Sequence, residues 1–386
     1  MHDSRNTLMS SSSMIKKILT LIAILFLLAV AWLLFWPVPV DPVAWTPPTA
    51  PGYTGVHAQN HLLADLELIP LDDELGPEHV VMASDSKLYV AVLSGRILRM
   101  NPDGSDQQVF ADTGGRVLGF DFDQHGNMIA ADANSGLLSI SPDGQISMLT
   151  DTVNGEPIRY ANAVVVANNG KIYFSDSSQR FAPAERGGTF NAAMLDIIEQ
   201  QSTGRVLEYD PDSQKTRVVV KGLSFANGVA LSADQSTLFV VETGRYRIWK
   251  VSLDAQDLSI NQASPMAQLL FDNLPGYPDN LLRGMDGKIW LGFTGPRSPP
   301  IDAMAEKPLL RKMVLRLPKS LWPKPKNYGH VMAFTDNGEV VADLQDPSGA
   351  YPQSTGVSET PERLYIQNLH LGNLGWKEKP VQASSN

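Results

Sequence analysis

Five polar side chains stand at the starts of short β-rich segments and could together hold a metal ion. They are Glu78 in GPEHVV, Asn162 in YANAVVV, Asn227 in FANGVAL, and the adjacent Asp279 and Asn280 in GYPDNLL. A single Asn-Gly or Asp-Asn step is more often a turn, but recurrence in four segments favours a shared site. Two carboxylates and two or three amide carbonyls form an all-oxygen set that suits calcium. Because carboxylates buried together without a cation would repel each other, the sequence predicts one Ca²⁺ ion held by these residues.

The segments that carry these residues share one pattern of short strands and turns. In 225–254, FANGVALSADQSTLFVVETGRYRIWKVSLD, three β-rich runs are separated by turn residues, as in antiparallel hairpins. Looser copies of the pattern begin at Lys87, Asn127, Lys171 with Gly204, Thr237, Lys288 and Arg363. About six units, mostly forty to seventy residues apart, are typical of propeller blades. We therefore predict an all-β, six-bladed β-propeller whose inner strands all start near one point of the central channel.

The run 62–70 has strand character but no partner beside it in the sequence. An open propeller would leave an unpaired strand edge between its first and last blades. We therefore expect this run to supply the outer strand of the last blade and to close the ring.

Composition excludes several classes of function. The formal net charge is −10, which argues against a nucleic-acid partner because phosphate binding needs a basic surface. The chain contains no cysteine, so disulfides, thiolate metal sites and thiol nucleophiles are absent. No Gly-x-Ser-x-Gly motif is present either, and a serine hydrolase is therefore not supported.

The N-terminus predicts a membrane anchor. After a polar tail, 1–17, the run 18–36 is almost purely apolar and long enough to cross a bilayer as a helix. A cleaved signal peptide is the alternative, since 29–31 (Ala-Val-Ala) resembles a cleavage site. The apolar run continues well past that point, which favours an uncleaved anchor. In either case we expect the lysines before the run to stay cytoplasmic and the rest of the chain to be exported, as a single-pass membrane protein or, after cleavage, as a secreted one.

Three further stretches complete the predicted organisation. The Pro-rich spacer, 37–60, is expected to be stiff and extended and to hold the propeller, 61–377, away from the membrane; a tail, 378–386, follows. Two insertions, 184–202 and 301–325, interrupt the repeat. They are interpreted either as surface loops with a helical turn or as a lid over one mouth of the channel or a membrane-facing patch.

The order of these motifs resembles the strictosidine synthase-like family. The similarity is carried by YANAVVVANNGKIYFSDSS, GRVLEYDPDSQKTRVVVKGLSFANGVALSADQSTLFVVET and LPGYPDNLLRGMDGKIWLGFTGPR, and it covers roughly 62–376. Paraoxonases and gluconolactonases are more distant members of the same superfamily. The resemblance implies a six-bladed propeller and hydrolysis of the arylesterase type. It also implies that Glu78, Asn162, Asn227, Asp279 and Asn280 occupy calcium-site positions.

At two catalytic positions of related enzymes this sequence has a different residue, which argues against the reactions of those enzymes. The catalytic glutamate of strictosidine synthase falls near Thr355, and threonine cannot act as the acid or base of that condensation. A paraoxonase histidine position matches Leu118. Histidines in positions like those of His79 and His370 usually pack in the core or at the rim of a propeller. Glu359, which lies near Thr355 in the sequence, is interpreted as structural.

We therefore expect a calcium-dependent hydrolase that acts on a small-molecule ester or lactone. Calcium would polarise the substrate carbonyl, and Asp279 would be the general base, as the gluconolactonase resemblance implies. A membrane-tethered binding propeller with a structural ion is the alternative, because propellers host many functions. Apolar residues of the insertions, Phe181, Phe190, Met194, Met304 and Trp322, favour hydrophobic substrates over sugars.

Overall fold

Antiparallel sheets repeat along the chain and are arranged as blades around a central channel. The computed structural model describes residues 4–323 and 325–379, and this part of the chain forms six sheets of four or five strands together with one two-stranded hairpin. In each sheet the first strand of the unit is innermost. The predicted all-β, six-bladed β-propeller is confirmed.

The blades follow the chain in order. The strands are β1 (Glu67–Pro70); β2 (His79–Met82), β3 (Leu88–Ala91), β4 (Arg96–Met100) and β5 (Gln108–Asp112) in blade one; β6 (Val117–Phe122), β7 (Met128–Asp132), β8 (Gly136–Ile140) and β9 (Ile146–Thr150) in blade two; the hairpin β10 (Thr152–Val153) and β11 (Glu156–Pro157); β12 (Ala161–Val166), β13 (Ile172–Asp176), β14 (Gly204–Asp210) and β15 (Lys215–Leu223) in blade three; β16 (Ala226–Leu231), β17 (Thr237–Glu242) and β18 (Arg247–Ser252) in blade four; β19 (Leu258–Ser259), which pairs with β15; β20 (Ala267–Phe271) in blade four; β21 (Gly276–Arg283), β22 (Ile289–Pro296), β23 (Gly329–Phe334) and β24 (Val340–Asp346) in blade five; and β25 (Ser354–Glu359), β26 (Arg363–Asn368) and β27 (Asn373–Glu378) in blade six.

The core lies between neighbouring blades. Between blades three and four, for example, Val206 and Val220 pack with Val229 and Val240, and equivalent apolar clusters fill the other five interfaces. Middle strands such as β7 are buried throughout, whereas the outer strand β9 is mostly exposed. Because neighbouring blades cover both faces of each sheet, the middle strands are continuous apolar runs rather than alternating ones.

The ring is closed by the N-terminal strand, as predicted. β1 pairs antiparallel with β27, with Leu68 opposite Gly375 and Ile69 opposite Leu374. Blade six therefore takes three strands from the end of the propeller and one from its beginning. This pairing removes the free edge that an open ring would expose.

Two neighbouring residues of β1 provide a test of this closure. Ile69 is buried in the core between blades six and one, whereas Leu68 is exposed. We expect Ile69→Ala to lower the free energy of unfolding by about 2–5 kcal/mol, the usual range for a core truncation. The matched control Leu68→Ala should change it by about 0.5 kcal/mol or less. Equal effects of the two substitutions in chemical denaturation would show that β1 does not close the ring in solution.

The helices lie at the N-terminus and in the two insertions. Helix α1 (Ser4–Phe35) contains a stretch, Met14–Phe35, that is long and apolar enough to cross a membrane. Helix α1 begins at Ser4, within the segment 1–17 that the sequence analysis describes as a polar tail. Between β13 and β14 lie α2 (Pro183–Arg186) and α3 (Thr189–Glu199), and between β22 and β23 lie α4 (Pro299–Ala303) and α5 (Pro308–Arg316). We call α2 to α5 the lid helices. The predicted C-terminal tail lies outside the described residues from position 380 onward.

The Pro-rich segment 37–60, which we call the strap, is extended but does not hold the propeller away from α1. Val40 is buried, the amide of Val43 donates to the carbonyl of Glu199 at 2.8 Å, and Arg297 donates to the carbonyl of Pro48 at 2.8 Å. The segment is therefore extended, as predicted, but it packs against the propeller along part of its length. An extended Pro-rich chain leaves its backbone groups unpaired, and here the lid helices and blade five pair with them.

Candidate functional site

The predicted site residues lie at one end of the channel because the inner strands share a local irregularity. The pairing of β12 shifts register between Ala161 and Val164, that of β16 between Ala226 and Val229, and that of β21 on either side of Pro278. Similar shifts flank Leu118 in β6 and Thr355 in β25. A bulge redirects the side chain that it contains. This explains how Asn162, Asn227 and Asp279 come to line one axial cavity, together with Glu78, which directly precedes β2.

The Asn227-Gly228 step lies in a strand rather than in the turn that its sequence suggests. A Cβ added to Gly228 would lie 2.4 Å from the backbone nitrogen of Leu281 and 2.5 Å from the carbonyl oxygen of Asp279. Glycine is therefore needed where the inner strands of blades four and five touch. This close approach is what brings Asn227 against Asp279.

Hydroxyl groups fix the orientation of the two asparagine amides. Asn162 donates its Nδ2 to Ser177 Oγ at 3.0 Å, and Asn227 donates its Nδ2 to Thr243 Oγ1 at 3.1 Å. The Asn227 amide also donates to Oδ1 of Asp279. Because Nδ2 of Asn227 donates both of these hydrogen bonds, the Oδ1 of the same amide points elsewhere. Among the described residues, this buried Oδ1 has no hydrogen-bond partner.

The two carboxyl groups of the site are buried and influence each other. Burial raises the pKa of Glu78, and the Arg116 guanidinium opposes that rise. Burial also raises the pKa of Asp279, and the charge of Glu78 raises it further. Within the described part of the chain, both amide atoms of the neighbouring Asn280 are buried and lack a hydrogen bond of normal geometry.

These observations fit a hard cation. Calcium prefers oxygen ligands of the kind present here. They are the unpartnered amide oxygens of Asn227 and Asn280 and the two carboxylates, whose charged forms are disfavoured by burial. A bound cation would satisfy the orphaned oxygens and relieve the repulsion between Glu78 and Asp279. Of the five predicted ligands, four line the cavity, and Asn280 is buried directly next to Asp279 in β21.

Arg116 is a site residue that the sequence analysis missed. Its side chain is buried, and its Nη2 lies 3.2 Å from Glu78 Oε2. It also donates to the carbonyl of Gly76 at 3.4 Å. A lone arginine directly before the apolar strand β6 was the available signal, because a buried guanidinium needs a carboxylate partner. Arg116 holds the Glu78 carboxylate in one orientation.

A mostly apolar cavity of about 350 Å³ leads from the axial residues to the lid helices. Four of the apolar residues that favour a hydrophobic substrate, Phe190, Met194, Met304 and Trp322, line it. Phe181 does not line it and instead packs in a core cluster beneath the lid. The two insertions therefore form a cover over this mouth of the channel, as one of the two interpretations of their sequence proposed.

The lid is fastened by one buried arginine. Arg311 of α5 donates to the carbonyl oxygens of Ile198 at 2.6 Å, Ala305 at 2.8 Å and Val43 at 2.5 Å. These carbonyls belong to α3, to the residues after α4, and to the strap. Hydrogen bonds from a charged donor are stronger than neutral ones, so Arg311 ties three separate segments over the cavity.

The remaining candidate residues do not line the axial cavity. His79 is buried against Phe120, and burial lowers its pKa to about 4. His370 packs against Phe190 with ring centroids 5.6 Å apart. Glu359 accepts from Trp290 Nε1 at 2.8 Å and pairs with Lys379 at 2.6 Å, which is a structural role. Thr355 donates to the carbonyl oxygen of Glu78 at 2.9 Å.

Comparisons with known proteins agree with this architecture. The family model "SMP-30/Gluconolactonase/LRE-like region" matches residues 77–298. The protein STRICTOSIDINE SYNTHASE-LIKE 7 of Arabidopsis thaliana is 33% identical over 79% of this chain and 80% of its own length. The adipocyte plasma membrane-associated protein of Danio rerio is 28% identical over 92% of this chain and 87% of its own. Among solved structures, a gluconolactonase from Xanthomonas campestris superposes with a TM-score of 0.56 at 19% identity, covering 89% of this chain and 99% of that one.

Proposed function

Since the chain belongs to the SMP-30/gluconolactonase/LRE-like family and is related to strictosidine synthase-like proteins, we propose that it is a calcium-dependent hydrolase of esters or lactones, anchored in a membrane by α1. The observation that carries the proposal is the set of buried oxygen donors at the floor of an apolar cavity. A carbonyl compound that enters the cavity would meet these donors at its far end. The apolar walls favour a hydrophobic substrate.

Glu78, Asn162, Asn227, Asp279 and Asn280 would hold the ion. Bound calcium would supply the positive charge that polarises a substrate carbonyl and stabilises the oxyanion that develops on it. Ser177 and Thr243 would keep the amide oxygens of Asn162 and Asn227 turned toward the ion. Arg116 would keep the carboxylate of Glu78 in place.

Asp279 is the proposed general base. Its Oδ1 accepts from Asn227, whereas its Oδ2 accepts no hydrogen bond from the described residues. Oδ2 would take a proton from water while the water oxygen attacks the carbonyl carbon. The C–O bond to the leaving group would then break, and the proton held on Asp279 would pass to the departing alkoxide or phenoxide. The sum of the steps is addition of one water across the ester or lactone bond.

The side chains at the other axial positions argue against two related reactions. Thr355 offers a hydroxyl where the condensation of an amine with an aldehyde needs a carboxylate, and this hydroxyl is already bonded to Glu78. Leu118 brings no titratable group to the cavity. Hydrolysis with Asp279 as the general base needs no titratable side chain at either Thr355 or Leu118.

The competing proposal is a binding propeller in which calcium only makes the channel rigid. The observation that favours it is the depth of the site. Glu78 and Asp279 are almost fully buried, so an ion held between them would stabilise contacts among blades one, three, four and five. A structural ion explains the orphaned oxygens as well as a catalytic one does.

The experiment that separates the two uses the full chain in lipid nanodiscs after calcium has been removed with a chelator. Hydrolysis of a panel of aryl esters and lactones is measured with and without added Ca²⁺, and Ca²⁺ binding is measured by calorimetry. We expect one bound ion per chain and a rate that returns when calcium is restored. Calcium that raises the melting temperature while the whole panel stays inert would favour the binding propeller. Absence of Ca²⁺ binding would contradict both.

A further inference from the structure

The segment 307–326, which we call the basic segment, differs in charge from the rest of the molecule. It contains seven Lys or Arg residues and no Asp or Glu, while the whole chain carries a net charge of −10. Helix α5 and the short 3-10 turn Lys319–Leu321 form most of it. Three of its leucines are exposed: Leu309, Leu310 and Leu321, the last with 64% of its surface open. A helix with basic and exposed apolar side chains is typical of elements that lie at a lipid–water interface.

The basic segment lies directly against the end of α1. Arg316 donates from its Nε to the carbonyl of Trp36 at 2.6 Å and from its Nη1 to the carbonyl of Leu33 at 2.8 Å. The indole of Trp32 donates back to the carbonyl of Arg316 at 3.3 Å. Trp32 and Trp36 stack with ring centroids 4.0 Å apart, and tryptophan pairs at the end of an apolar helix mark the membrane interface. The end of α1 and the basic segment would therefore be at the same height above a bilayer.

The same segment also forms one wall of the cavity. Arg311 and Val314 of α5 line it, and Trp322 lines it just beyond the 3-10 turn. One side of the basic segment thus faces the cavity, while Leu309, Leu310 and Leu321 project into solvent. Phe190 on α3 lies at the same mouth and is itself 37% exposed.

From this arrangement we infer that the basic segment binds the surface of an anionic phospholipid bilayer beside α1, so that the mouth of the cavity opens at the lipid–water boundary. The leucines would enter the acyl boundary, and the exposed Lys307 and Lys319 would pair with phosphate groups. On the hydrolase proposed above, the substrate would then be an amphiphilic ester or lactone that enters from the bilayer. The strap supports this placement, because it keeps α1 and the lid helices together rather than separating them.

Membrane contact can be tested without any enzymatic activity. Since the chain contains no cysteine, a nitroxide label can be attached to Leu321→Cys alone in the full chain, with Leu269→Cys on the exposed outer strand β20 as the matched control. Power saturation is recorded in nanodiscs containing phosphatidylglycerol. We expect the label at 321 to be accessible to oxygen and shielded from a water-soluble nickel complex, and the label at 269 to show the reverse. Equal accessibility to nickel at both positions would overturn the inference and would leave a protein partner as the occupant of this surface.

The route by which the substrate enters the cavity has a separate test. It compares two esters that have the same reactive bond but differ in where they dissolve. Leu321→Glu is expected to lower kcat/KM at least tenfold for a long-chain ester dispersed in the nanodisc, and to leave hydrolysis of a short water-soluble ester unchanged. Leu269→Glu should affect neither. Equal losses on both substrates would refute entry from the bilayer. Inactivity of the wild-type chain on both would refute the hydrolase, while the label experiment would still decide the membrane contact.

Discussion

Replacing Asp279 by asparagine is expected to lower kcat/KM for the best ester or lactone substrate by at least about 100-fold, the usual contribution of a general base. Asparagine keeps the size of the side chain and its oxygen beside Asn227, but it cannot accept the proton of the attacking water. It also removes one negative charge from the calcium site. The loss is therefore measured at saturating Ca²⁺, with the affinity for the ion determined in parallel by calorimetry.

Asp121→Asn is the matched control. Asp121 is a partly buried carboxyl on the inner strand β6, and its Oδ2 accepts from the amide of Val166 at 2.9 Å. Burial raises the pKa of Asp121 to about 6, but its side chain does not line the cavity. We expect near-normal activity from this variant. An Asp279→Asn protein that binds Ca²⁺ and retains wild-type kcat/KM would show that Asp279 is not the base.

Gly228→Ala is expected to lower the free energy of unfolding by about 3 kcal/mol, a large loss for a single added methyl group. The three atoms that the new Cβ would meet belong to the backbone of Asp279, Asn280 and Leu281, at 2.4 to 2.8 Å. Backbone cannot rotate away, so the inner strands of blades four and five must separate. Because the same contact positions Asn227 against Asp279, we also expect calcium affinity to fall by about 10- to 100-fold, as for changes that disturb the support of metal ligands.

Gly372→Ala provides the comparison for this variant. Its nearest neighbour would be a methyl group of Leu75 at 3.3 Å, a side chain that can adjust. Urea denaturation and calcium calorimetry on both variants separate the effects of adding a methyl group from those of forcing two blades apart. If Gly228→Ala were as stable as Gly372→Ala and bound Ca²⁺ normally, the proposed role of the close contact would be wrong.

The repeat was predictable because each blade has the same physical needs. Middle strands such as β17 need continuous apolar side chains, and the loops between strands need turn residues, so the six copies can be recognised despite low similarity. The axial residues were predictable for a related reason. Polar side chains such as Asn162 at the start of an apolar strand have no use in a blade interface, so they point to the channel.

Other features depended on contacts between residues far apart in the sequence. The role of Arg116 requires the knowledge that it faces Glu78 across a blade interface, and no local pattern reports that. The strap was expected to be a stiff, extended spacer because it is rich in proline, but two of its carbonyls accept hydrogen bonds from Arg297, which follows β22, and from Arg311 of α5. Phe181 was counted among the apolar residues that favour a hydrophobic substrate, whereas its side chain packs in the core.

The closure of the ring by β1 also constrains when the protein can fold during synthesis. Lys377 bonds to the carbonyl of Leu62, 315 positions earlier, so blade six cannot form until almost the whole chain has left the ribosome. Until then β1 and the edges of the finished blades remain unpaired, and contacts of such long range form slowly. We expect chains that end before β27 to keep open edges that are recognised by chaperones and proteases, so even a short truncation at the C-terminus should reduce the amount of protein more than its length suggests.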